Sequence, residues 1–116
     1  MKKEPLIFIE HILGSIAIIE SYAKNLTKEK LTKNIKVQDA IIRRIEIIGE
    51  AAKNLPTDFR NRYQAIKWSD IIRTRDKITH HYFGVDLDIV WDIVKKDLPG
   101  LKKKIKAIVG QEPKEK

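Results

Sequence analysis

Apolar side chains recur every three or four residues along almost the whole chain, and that spacing leaves little besides a set of packed helices. A helix returns to the same face at those intervals, whereas a strand does so at every second residue. Phe8, Ile12, Ile16, Ile19 and Ala23 make one stripe, and Val37, Ile41, Ile45, Ile48 and Ala52 make another. Leu87, Val90, Val94, Leu98 and Leu101 make a third, which Ile105 and Ile108 continue. No stretch alternates apolar and polar residues for long, and no repeat or internal linker is visible.

Start and stop signals divide these stripes. Pro5 suits the first turn of a helix running to about Leu26, with Gly14 tolerated inside it at about 1 kcal/mol. Thr27 to Lys33 is a charged connection poor in apolar residues. Asn34 is an N-cap for the second helix, and Pro56 stops that helix after Leu55. Thr57 to Tyr63 holds a short turn of helix, and a third long helix runs from Trp68 or Ser69 to about His81. Gly84 supplies a residue tolerant of positive φ, Asp86 caps the last helix, and Pro99-Gly100 should kink or interrupt it. Four long helices with short connections predict an all-α, up-and-down four-helix bundle with a short extra helix over residues 1–110. Residues 111–116 form a disordered basic tail with nothing to bury. Trp68, Tyr82, Phe83 and Trp91 crowd one region and predict a surface for dimerisation.

Composition narrows the function classes. The 116 residues fit one domain, and 42% hydrophobic content is enough to exclude a disordered polymer. With no cysteine, disulfides and thiolate metal sites are impossible, which fits a reducing compartment. Glu10 and His11 interrupt the first apolar run, so neither a membrane span nor a secretory signal is expected, and the cytoplasm is the predicted address. The net charge of +8 favours polyanionic partners, although the lysines from Lys102 to Lys116 also read as a solvated tail.

The densest chemical signal is Arg73-Thr-Arg75-Asp-Lys-Ile-Thr-His80-His81-Tyr82-Phe-Gly84. On an ideal helix Ile71, Arg75, Ile78 and Tyr82 share one stripe, which puts Arg75 among apolar neighbours and in need of a partner anion. His80 lies about 140° around the axis from Arg75, so a shared site requires a loosened helix end or a second subunit. Plainer roles also exist. Arg75 can pair with Glu46 or Glu50, His80 can sit at a helix end stabilised by the dipole, and Tyr82 can be a core aromatic. Adjacent His80 and His81 point about 100° apart and no His pair has i, i+4 spacing, so no metal site is expected. No glycine-rich phosphate loop, serine nucleophile elbow or dinucleotide fingerprint is present.

Arg75, four residues, His80, one residue and Tyr82 resembles the Arg-x4-His-x-Tyr motif of the HepT-like toxins in the HEPN superfamily. The stretch Arg43-Arg44-Ile-Glu46-Ile-Ile-Gly49-Glu50-Ala51-Ala52 is similar to that family's Gly-Glu-Ala segment. Trp68, the Tyr82-Phe83-Gly84 run and the stretch from Val85 to Val94 also fit, so the resemblance spans nearly the whole chain. It implies an up-and-down helical bundle paired as a homodimer or higher even oligomer, with the motifs at a cleft between subunits. It further implies a metal-independent endoribonuclease toxin that needs no cofactor. The toxin's partner is a small nucleotidyltransferase antitoxin that silences the cleft by placing AMP on the motif tyrosine. Carried over, Arg75 and His80 are the catalytic pair, Tyr82 is the modification site, and Glu50 and Asp76 are supporting residues. The family often has Asn where this chain has Asp76, whose carboxylate should weaken RNA binding unless it turns away or pairs with Lys77 or Arg73. The alternative is a non-catalytic dimeric module that binds and regulates a nucleotidyltransferase.

Overall fold

The computed structural model describes residues 3–78 and 84–112, and every long element among them is helical. Helix α1 (Lys3–Ala23) lies along α3 (Ile35–Asn54), and α8 (Leu98–Gln111) packs back on α1. Ile9, Ile12, Ile16 and Ile19 from α1 are wholly buried. They meet Ile41, Ile45, Ile48 and Ala52 of α3 and Ile105 and Ile108 of α8 in one continuous core. Ile12, Ile16, Ile19 and Ala23 are buried as their spacing predicts, and only at the first position does Ile9 enter the core in place of Phe8, which flanks it.

The Asn34 side chain accepts from Val37 N–H at 3.1 Å, satisfying one of the unpaired donors at the start of α3. Asp86 does the same for α7 (Leu87–Asp92), accepting from the N–H groups of Asp88 and Ile89. Gly84 has φ +83°, the left-handed backbone that glycine adopts without steric penalty. The segment from Thr27 to Lys33 is not an irregular connection. It contains a short helix, α2 (Lys28–Lys33), because Thr27 caps it and Leu31 buries completely against the core. Helix α4 (Thr57–Arg62) is the short extra helix, anchored by buried Phe59.

The last helix is interrupted next to Pro99-Gly100, in line with its sequence. A π-helical turn, Ile93–Asp97, joins α7 to α8, with Pro99 in the first turn of α8. Proline has no N–H to give the carbonyl four residues back, and the ladder widens in the turn before it. The chain end also departs from expectation. Glu112, assigned to the disordered tail, accepts a hydrogen bond from the Tyr63 hydroxyl and pairs with Arg62 at 3.5 Å. Residues 113–116 lie outside the described part.

Among the described residues one helix, over Pro5–Ala23 with mean hydropathy 1.5, is long and apolar enough to cross a membrane by length and composition. It carries Glu10 and Glu20, and four of its six isoleucines, Ile9, Ile12, Ile16 and Ile19, are packed into the core. The proposed aromatic surface is also revised. Trp68 is buried at 7% exposure and donates its indole N–H to the Tyr63 carbonyl, while Trp91 is half-buried under Lys95. Tyr82 and Phe83 lie outside the described residues.

Candidate active site

The third long helix is two short ones, α5 (Trp68–Ile72) and α6 (Thr74–Ile78), separated at Arg73. Arg73 has φ −92° and ψ 8°, well off helical values. Thr74 donates its hydroxyl back to the Asp70 carbonyl at 2.9 Å, a bond that bends helices. The break changes the phase of the helix. Ile71 and Ile78 remain packed, but Arg75 between them is not on the apolar stripe: 72% of its side chain is exposed.

Arg75 has its counter-anion all the same. Its Nε lies 3.5 Å from Glu46 Oε2 on α3, and the other oxygen of Glu46 lies 3.7 Å from Arg43. One carboxylate thus bridges two guanidinium groups and holds the Nε edge of Arg75. Glu46 is the partner and Glu50 is not: one turn further along α3, Glu50 is exposed and makes no ion pair among the described residues. Asp76 is exposed in the first turn of α6 and pairs with neither Arg73 nor Lys77. Lys77 turns instead towards Asp70, at 3.9 Å.

The helix of Glu46 also approaches the chain leading to Arg75 at a glycine, one that reads in sequence only as part of a family segment. A Cβ added at Gly49 would lie 3.2 Å from the Ile71 carbonyl oxygen and 3.5 Å from that of Ile72. The backbone at the end of α5 therefore rests almost directly on α3. The available signal was the glycine itself, since in a helix interior it costs about 1 kcal/mol and calls for a packing reason.

His80 and Tyr82 lie outside the described residues. The described chain on either side of them is tied together, with Asp86 N–H donating to the Ile78 carbonyl at 2.7 Å. Among the described residues no group of three or more His, Asp or Glu side chains is placed to hold a metal. The described geometry thus presents an oriented guanidinium on the surface, suited to a phosphate.

The chain matches the family "Ribonuclease HepT-like" over residues 12–108, and it belongs to that family. It is similar to a Methanocaldococcus jannaschii protein named "Gamma-glutamylcyclotransferase and putative RNase", 47% identical over all of this chain and 52% of that protein. The chain therefore spans about half the length of that relative. A "Putative RNase" of the same organism is 42% identical over 93% of this chain and 89% of its own length. A "Probable ribonuclease HepT" of Thermococcus cleftensis is 41% identical over 93% of this chain and 98% of its own length. No solved structure gave a match.

Proposed function

We propose that this protein is a metal-independent endoribonuclease acting in the cytoplasm, with Arg75 and His80 as its catalytic pair. The observation that carries the reading is the Glu46-held guanidinium of Arg75, exposed at the start of the motif, with one residue separating Ile78 from His80. Family membership and the names of the relatives support it.

RNA carries its own nucleophile, the 2′-hydroxyl. His80 takes the proton as the 2′-oxygen attacks phosphorus, since an imidazole side chain can accept and return a proton near neutral pH. Arg75 offers charged N–H donors to the non-bridging oxygens as negative charge builds on the phosphorane. The 5′-oxygen leaves with a proton, and a 2′,3′-cyclic phosphate remains. Tyr82 orients the phosphate or stacks on a base. In a four-helix-bundle homodimer, two such sets face one cleft and divide the acid and base roles. Glu50 and the exposed Asp76 border that cleft, with Asp76 lowering affinity for RNA by repulsion.

The toxin role follows from the same site. A nucleotidyltransferase antitoxin would transfer AMP to the Tyr82 hydroxyl, putting bulk and negative charge opposite Arg75 and blocking RNA.

The test is incubation of the protein and His80→Ala with total RNA in EDTA, with analysis of the product ends. Cleavage by the wild type alone, leaving 2′,3′-cyclic phosphate, with the helical circular dichroism of the variant unchanged, is the expected result. No cleavage refutes it and favours the non-catalytic partner of a nucleotidyltransferase, and cleavage lost to EDTA refutes the metal-independent mechanism. Intact mass after co-expression with such an enzyme tests the Tyr82 adduct, and an adduct mapped elsewhere removes that role.

A further inference from the structure

Between α4 and the start of α5 lies an open depression of about 420 Å³ that the proposed chemistry does not use. Its polar lining is Thr57, Arg60, Asn61, Gln64, Lys67 and Ser69, with Asp70 at one edge. Arg60 and Arg62 share α4, yet their surroundings differ sharply. Arg62 is occupied by Glu112 at 3.5 Å and by the Phe59 and Tyr63 rings at 5.2 and 5.7 Å. Arg60 makes no ion pair among the described residues, and its Nε is shut off from solvent without a hydrogen-bond partner. A guanidinium N–H removed from water and left unbonded is unfavourable and is rarely kept without a reason. Asp70 does not answer it, because its carboxylate turns towards Lys77 at 3.9 Å.

We infer that this depression is a phosphate subsite for the RNA strand, with Arg60 and Lys67 as its charged contacts and Asn61, Gln64 and Ser69 as hydrogen-bonding neighbours. This rests on the RNA reading above and extends it to where the strand runs. The ligand class follows from the polar side of the lining: a guanidinium, an ammonium, two amides and two hydroxyls outweigh the one carboxylate of Asp70 and suit a phosphodiester, while Ile66 and Trp68 supply the apolar side. The route follows from continuity. Ile66, Lys67 and Asp70 also line a larger groove of about 590 Å³, whose one wall includes Thr74 and Lys77 and whose other wall carries Lys96 and Lys104 beside Asp92, Asp97 and apolar side chains. The wall of that groove includes Thr74, the residue next to Arg75, although Arg75 itself lies outside the lining. A strand with its scissile phosphate at Arg75 and its flanking nucleotides along α5 reaches the depression with a further phosphate.

The experiment uses a short fluorescent 2′-O-methyl RNA, which cannot be cut, in anisotropy titrations over a range of salt, alongside cleavage of the unmodified RNA. Lys67 is exposed, so Lys67→Gln keeps the test clear of folding, and circular dichroism checks Arg60→Gln. Arg60→Gln should weaken binding about tenfold. Lys67→Gln should weaken it several-fold and reduce the slope of log affinity against log salt by about 0.7, the loss of one single-strand phosphate contact. In cleavage both variants should raise KM and leave kcat near wild type. Wild-type cleavage with unchanged binding and KM in both variants overturns the subsite while the nuclease stands. Variant-sensitive binding without wild-type cleavage supports the subsite while the nuclease falls. No RNA binding by the wild type overturns it. So does an Arg60 Nε–Hε resonance that responds to inorganic phosphate or an acidic peptide but not to the RNA.

Discussion

Replacing Gly49 by alanine should destabilise this protein, although the same change in a helix interior ordinarily does the reverse. Alanine in place of glycine in a helix is worth about 0.5–1 kcal/mol. At Gly49 the new methyl would sit 3.2 Å from the Ile71 oxygen and 3.5 Å from the Ile72 oxygen. Both are backbone atoms, and the Ile71 carbonyl already accepts from Arg73 N–H, so neither can swing aside like a side chain. Overpacking of this kind costs about 1–3 kcal/mol. The balance is a net loss of about 1 kcal/mol, or roughly 4 °C in Tm for a domain of this size. Gly14→Ala is the control. Gly14 is exposed in α1, a Cβ there meets nothing within 4 Å, and its substitution should stabilise by about 0.5–1 kcal/mol. Urea unfolding followed at 222 nm, at equal m-values, measures both. If Gly49→Ala were as stable as Gly14→Ala, the close packing of α5 on α3 would not be what keeps a glycine here. Because α5 leads directly into the helix bearing Arg75, RNA cleavage by Gly49→Ala should fall while that of Gly14→Ala stays at wild type.

Glu46→Gln removes the bridge between Arg43 and Arg75. Stability should change by less than about 1 kcal/mol, since Arg75 and Arg43 are largely exposed, whereas cleavage should fall about tenfold through misplacement of Arg75. A large stability loss with normal turnover would make the pair merely structural. The Tyr63 phenol is raised above its ordinary range by burial and by its hydrogen bond to the Glu112 carboxylate, with Arg62 acting in the opposite direction. A raised folded-state pKa means stability present below about pH 10 and lost as pH climbs through the folded value. Urea midpoints should therefore drop above pH ~10 in the wild type and less steeply in Tyr63→Phe, and equal drops would refute the assignment.

Caps and stripes were legible because they are local. Asn34 and Asp86 satisfy nearby N–H groups, and the isoleucines of α1 and α3 declare their faces at helical spacing. Helix α2 was missed because its charged sequence carries a single buried anchor, Leu31. The phase of Arg75 was misread because the helix was extended through Arg73 as if ideal. Glu46 and Glu50 were both open as partners of Arg75, since they are one turn apart on the same face.

Periodicity, capping and motif spacing act over a few residues, so the all-helical class, most element starts and the family followed from the order of amino acids alone. The partner of Arg75, the close approach at Gly49 and the unbonded Nε of Arg60 all depend on where one helix comes to rest on another. Those positions are settled only when distant side chains compete for the same buried space, and no local pattern records the outcome of that competition.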